Sequence, residues 1–513
     1  MRRALYASFF LLAASCNNAT TITGDDAAVG GGADMAVPVG VKDMAVVQDM
    51  ATLTNIGPKV AAGNFRLFAL TTDNRAIVVD DTKHNLSAID LATGKIDVVD
   101  PAPGNLRVQG KGVWSWSQVD MNTGVAVTTF WTAASGANQI TAQGLNTIGY
   151  VADDGANIIF SSNPAPDGTS TDISIAKADG SGAKTLATSL DLSMTCFADL
   201  NFRGGKFFII GCPPAPDGGV QTSTLWVVDA VTHAVVSTTP GLQASNLRRL
   251  VGAISAAGDK VFAIDQNGAA VVINAADGKI TKIDADGAAG WMTPDGATVM
   301  YRNSKGALMS SATTNPAPKQ LVANNVNDFS YFVVGTELLP GMSNDGKYMV
   351  YTENQDPTTG LGDLHLVSTT VAGSPVTLTS DPTGALFGDA FTTDSTFALY
   401  YPTTTNVAAI GGLIGPLSAV AVAAGTPKMI GDKIWLSYAA KGSIVVYNDN
   451  FYAKGAKNHG RFDLKFVDVK SGSPTMVAQN AEADFFVTAD KTSIVYVFGL
   501  NTPASGLYQY KIP

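Results

Sequence analysis

The stretch "TPDGATVMY" (Thr293–Tyr301) is matched fifty residues further on by "SNDGKYMVY" (Ser343–Tyr351). In each, an Asp-Gly pair stands just before an apolar run. A tight turn between twisted strands needs positive φ, which glycine adopts at little cost. Asp295-Gly296 and Asp345-Gly346 therefore read as hairpin turns, and "TVMY" and "YMVY" as buried strands. The same grammar predicts turns near Asn74, Gly112, Gly155, Gly204, Gly258, Ser395, Gly442 and Lys491. With Gly296 and Gly346 these make ten turns, spaced 38 to 54 residues apart. A series at this period is an array of supersecondary units, not a chance match.

Several units continue alike. A third strand is expected to end in a polar turn at "AIDLATGK" (Ala88–Lys95), "VDMNTG" (Val119–Gly124), "INAADGK" (Ile273–Lys279) and "FVDVKSG" (Phe466–Gly472), with a short apolar run after it. Four antiparallel strands per unit form the blade of a β-propeller. The expected fold is all-β, with about 8–10 four-stranded blades in one large ring, two rings being the alternative. The pattern of "P-D-G" or "N-D-G", strand, "L-x-x-x-D/T" and a glycine turn resembles the TolB-type propeller repeat over about Val60–Pro513. The last unit offers strands around Phe485–Thr488, Ser493–Phe498 and Leu507–Ile512. Its fourth is expected from "NIGPKVA" (Asn55–Ala61), so that both chain ends close the ring and leave no exposed edge.

Composition agrees. The 513 residues include 52 Gly and 23 Pro and only 15% charged side chains. That is turn-rich and β-prone. The net charge is −10 and no Lys/Arg cluster occurs. A nucleic-acid partner or an anionic membrane surface needs a dense basic patch, so both are excluded.

The chain opens "MRRALYASFFLLAASC". Arg2 and Arg3 precede an apolar stretch, Ala4–Ser15, too short to span a bilayer, so residues 1–15 read as an export signal. "AAS" before Cys16 resembles the lipobox of bacterial lipoproteins, which implies a diacylated Cys16 and a membrane anchor. Cleavage by ordinary signal peptidase is the alternative. Residues 16–55 hold "GGGAD" and three Asp-Met-Ala copies, with no aromatic and no strand or helix period. They are expected to form a disordered tether reaching about 35 Å, with the propeller over 56–513. Location in the cell envelope, most simply at the outer membrane, follows from that anchor.

Chemistry is sparse. His84, His233, His365 and His459 stand at no metal-ligand spacing, and no nucleophile elbow, calcium loop or phosphate-binding motif occurs. No catalytic residue, metal or cofactor is assigned, and a non-enzymatic role is expected. A carboxylate site assembled from several blades stays open, because spacing does not reveal it. The uncharged run Val407–Ala424 holds Gly411, Gly412, Gly415 and Pro416, so it reads as loop plus strand rather than a membrane helix.

Two local expectations complete the reading. Cys196 and Cys212 flank the hairpin "CFADLNFRGGKFFIIGC", and export permits a disulfide between them. A three-residue turn would set them opposite; a two-residue turn would offset them by one. Two buried thiols are the alternative. Binding is expected on the face carrying the loops between second and third strands: Asn163–Thr171, Pro213–Ser223, Asn354–Gly362 and Asn448–Phe462. The last holds Phe451, Tyr452, Lys454, Lys457, His459 and Arg461. Three functions remain open: a tethered module binding an envelope protein or glycan, a propeller enzyme acting on polysaccharide or peptide, and an outer-membrane assembly factor.

Overall fold

The computed structural model describes residues 56–513, except 118–119, 121–124, 144–148, 164, 166–169, 192–198, 215–220, 244–251, 323–325, 327–330, 335–336, 355–360, 371–374, 387, 408–411, 424 and 453–460. The described chain forms forty strands, all paired antiparallel. They make ten blades. Blade 1 shows the plan: Phe65–Leu70, Arg75–Asp80, Asn85–Asp90 and Ile96–Asp100 pair in chain order. Blades 2 to 9 follow at 105–143, 149–191, 199–242, 254–284, 289–322, 342–379, 391–434 and 437–482. In blades 5, 7 and 8 the innermost strand shrinks to one bridging residue, Ile254, Met342 and Phe391. A hairpin, Tyr331–Val334 with Glu337–Pro340, is inserted between blades 6 and 7.

Blade 10 closes the ring. Phe485–Val487, Ser493–Phe498 and Gly506–Lys511 pair in order, and Lys59–Ala62 adds the outermost strand. Ala61 stands opposite Leu507 and Ala62 opposite Gly506. The expected closure by the N-terminal segment is therefore present.

The core explains why the ring is single. It divides into ten main clusters, each shared by two successive blades. Phe208 and Leu225 of blade 4, for example, meet Ile254 and Val271 of blade 5. The last junction brings Val495 and Leu507 of blade 10 against Phe65 and Val78 of blade 1. A middle strand is thus covered on both faces, and reads as a continuous apolar run such as "KFFIIG" rather than an alternation. Outer strands are half-wetted: Val98, Val376 and Met429 are 51%, 49% and 64% exposed.

All ten predicted turns fall between first and second strands, on what we term the lower face. Many share one hydrogen-bonded form. Thr293 Oγ1 donates to Asp295 Oδ1 (2.6 Å) and accepts from Thr298 N (3.0 Å). Ser343 with Asp345, Thr392 with Asp394 and Thr488 with Asp490 repeat it. Gly296 and Gly346 take φ of 68° and 69°, as the opening motif requires.

Four expectations are corrected or refined. Residues 119–124 lie between the second and third strands of blade 2, not at the end of a third; that strand is Val125–Thr132. The turn placed near Gly112 is centred earlier, on Gly110 at φ 51°, and Gly112 opens the second strand. The blade 4 hairpin pairs Arg203 with Lys206, so its turn is the two-residue Gly204-Gly205, the form that offsets Cys196 from Cys212. Cys196 lies outside the described residues. Cys212 is buried, accepts from Asp191 N through its carbonyl (2.9 Å) and places Sγ 3.3 Å from Ser223 Oγ. Finally, Asn448–Phe462 is not one long loop. Its strands run through Tyr452 and resume at Arg461.

In the uncharged run Gly412–Ala421 is the third strand of blade 8, as the strand part of the reading has it, and Val407 ends a short strand, Thr405–Val407; residues 408–411 and 424 lie outside the described residues. Among the described residues no helix is long and apolar enough to cross a membrane. Residues 1–55, with Cys16 and the tether, lie outside the described residues.

Candidate functional site

The upper face carries the loops between second and third strands and the links between blades. Among the described residues its longest strand extensions are in blades 8 and 9. Ile444–Tyr452, the second strand of blade 9, has 9 residues against 5 or 6 for most second strands, and Gly412–Ala421, the third strand of blade 8, has 10 against 5 to 8 for the other third strands. The extra length pairs locally. Thr405–Val407 returns on Gly412–Ile414 in blade 8. In blade 9 the ladder reaches Asp449 opposite Asp463, then slips before Tyr452 meets Arg461.

These extensions share a small apolar cluster outside the ten junctions. Phe462 and Ala483 are buried, and Val407, Ile414, Trp435 and Phe451 pack on them half-exposed. Trp435 stacks on Phe462 with centroids 5.9 Å apart, and Phe451 meets the same ring at 5.3 Å. The blade 8–9 link that carries Trp435 is pinned. Asn448 Oδ1 accepts from Trp435 N (3.0 Å) and Leu436 N (2.9 Å), and its Nδ2 donates to Ala483 O (3.4 Å).

A polar network holds the hairpin upright. Arg461 Nε meets Glu482 Oε1 at 2.9 Å, both nearly buried, and Lys465 Nζ meets Asp449 Oδ2 at 2.9 Å. Asn450 Nδ2 donates to Asp463 Oδ2 (2.9 Å), whose Oδ1 accepts from Asn480 N (3.2 Å). Burial, and then Asp449, push the nearby Tyr447 phenol well above its ordinary value.

The six residues singled out by sequence thus divide. Phe451 is on the platform. Arg461 is buried in its ion pair and supports it. Tyr452 ends the strand that carries it. Lys454, Lys457 and His459 lie outside the described residues. Sequence reasoning missed Trp435 and Phe462; a lone Trp in the link "KIWLS" (Lys433–Ser437) was the available signal.

The channel side holds one notable carboxylate, Asp389, in the innermost segment of blade 8. It accepts from Ala439 N of blade 9 (2.7 Å), and burial raises its pKa above the usual carboxylate value, with Lys491 and that amide opposing. Among the described residues no three His, Cys, Asp or Glu side chains group closely enough to hold a metal.

No family model matches the chain, and no curated protein matches it. Solved structures do. A eukaryotic initiation factor is 10% identical over 76% of this chain and 90% of its own, with a TM-score of 0.48. The tricorn protease is 12% identical over 88% of this chain, TM-score 0.31, and the present chain spans about half its length, 52%. The computationally designed Ika8 protein is 10% identical over 74% of this chain and all of its own, TM-score 0.35. No function is taken from likenesses at this level.

Proposed function

We propose that this chain is an exported lipoprotein, anchored through Cys16, whose propeller binds an envelope protein or glycan on the platform of blades 8 and 9. One observation carries the binding reading. The chain builds an apolar cluster above its ring, with Trp435 and Phe451 half-exposed, where ring stability does not require one. Aromatic side chains presented on a rigid scaffold supply contact area at small entropic cost. Buried ion pairs beneath them fix the presentation. The signal-like start and the small residues before Cys16 support the anchor, and the TolB-like repeat grammar agrees with an envelope setting.

The experiment combines both parts. Intact cells are labelled with an acyl probe and cross-linked, comparing wild type, Cys16→Ser and Trp435→Ala/Phe451→Ala. Cys16→Ser is expected to lose label and membrane retention. The double variant is expected to keep both and to lose its cross-linked or glycan-bound species by tenfold or more. Unchanged cross-linking in the double variant would reject the platform; unchanged label in Cys16→Ser would reject the anchor.

The enzyme reading rests on Asp389 alone, a channel-side carboxylate whose pKa burial raises above its ordinary value. It is the second reading.

A further inference from the structure

We infer a second binding site, for a sugar chain, at the upper inner corner of blade 2, built from Trp116, Asn105 and Arg107. It is independent of the blade 8–9 platform.

The sequence "GVWSW" sets Trp114 and Trp116 two apart on one strand, Gly112–Trp116, so both side chains share a face. Trp114 serves the core. It is 2% exposed, stacks on Phe130 at 6.1 Å, and fills the space above Gly149 of blade 3, where a Cβ would collide with its ring. Trp116 packs against the same blade 2–3 cluster but is not fully covered by it. It is half-buried at the strand's upper end, just before exposed Ser117. Its ring lies on Trp114 with centroids 4.3 Å apart and planes 22° apart. The indole is therefore held at a fixed tilt by a ring that cannot move.

The innermost strand, Asn105–Gln109, sets its side chains beside this pair. Asn105 is opposite Trp116, and Arg107 is opposite Trp114. Opposed residues on an antiparallel ladder share a face. Arg107 is exposed, with its guanidinium carbon 5.9 Å from the Trp114 ring centroid. An indole, an amide and a guanidinium thus stand together at the channel mouth.

A pyranose has one apolar C–H face and a polar rim. The negative face of an indole attracts the polarised C–H groups, and the ring excludes water from them. Asn and Arg then offer donors and an acceptor in planar geometry to neighbouring hydroxyls. A nucleic acid would suit the stacking but not the net charge of −10, with a single arginine at the site. The innermost strand Asn105–Gln109 pairs on one side only, but a peptide added at that edge would pair with its backbone in the plane of the sheet and would leave the indole and guanidinium above the sheet face unused. The occupant is a pyranosyl unit of an extended glycan.

Intrinsic tryptophan fluorescence of the full chain is titrated with cellohexaose, chitohexaose and polygalacturonate. At least one is expected to give a saturable change. Trp116→Ala should weaken that sugar tenfold or more, Trp116→Phe should retain most of the affinity, and Arg107→Ala should weaken it severalfold. Val376→Ser, at an exposed position on the outer strand of blade 7, should bind as wild type, and only the part of the signal lost with Trp116 is assigned to this site rather than to the platform. Calorimetric unfolding monitors folding, and Asn105→Ala replaces Trp116→Ala should that variant fail to fold. No saturable binding by any of the three sugars, or equal affinity after loss of Trp116 or Asn105, overturns the site.

Discussion

At the scale of single residues, carboxylates in this ring titrate in two opposite senses. Asp295 is held below its usual value by the Thr293 hydroxyl and the Ala297 amide, and Asp490 likewise by Thr488. Such groups contribute stability that is present above the unfolded value and lost as pH falls through the folded one. Asp389 runs the other way. Its folded value is raised, chiefly by burial, so its contribution is full below the unfolded value of 3.8 and is lost as pH rises. Asparagine would keep an oxygen for the Ala439 amide and carry no charge. Asp389→Asn is therefore expected to raise the melting temperature at pH 7 by roughly 1–3 °C and to leave it unchanged at pH 3. Scanning calorimetry at both pH values checks this. A loss of stability at pH 7 would show that the charge is favoured there.

Much at this scale was legible. Asp295-Gly296 and Asp345-Gly346 announce positive φ, and only a turn uses it. Asp389 was not legible, because its surroundings come from blades 8, 9 and 10, far apart in sequence. Trp435 and Phe462 were hidden for the same reason: 27 residues separate them, and only the height of two neighbouring hairpins brings them together.

At the scale of elements, the blade 4 hairpin shows what spacing leaves undecided. Eight residues lie from Gly204 to each cysteine, but register depends on turn length. The two-residue turn, with Gly204 and Gly205 both at positive φ, offsets the pair by one. A Cys196–Cys212 bridge then needs one residue of slip between Cys196 and Asp199. The outer ladder of blade 4 tolerates such slips at Ser223 and Val227. We expect non-reducing peptide mapping of exported protein to recover a Cys196–Cys212 linked peptide. Its removal by Cys196→Ser should cost about 3 kcal/mol in the chain-entropy model. Because the bridge lies within one blade, protease sensitivity should rise in 196–223 and not at the ring closure. Alkylatable thiols at both positions would refute it.

At the scale of the molecule, one strand determines whether ten blades form a ring or an open arc. Each junction buries its own cluster, so nine of them would persist in an arc. The tenth depends on Lys59–Ala62. Ala61 takes part in it directly, Val60 packs at its side, and Lys59 Nζ reaches Ser505 O at 3.3 Å. Gly57 helps seat the segment: a Cβ there would collide with the Gln509 backbone. Without this strand, Gly506–Lys511 becomes an unpaired edge, open to pairing with another chain. Deletion of 55–61 is therefore expected to lower the melting temperature by several degrees and to promote association at micromolar concentration. Deletion of 20–40, in the segment read as a tether, should leave both unchanged. Calorimetry with sedimentation velocity compares the two. Equal losses would mean that the blade 10–blade 1 junction holds without its outer strand, and that apolar packing between blades, not strand exchange between the chain ends, keeps the ring shut.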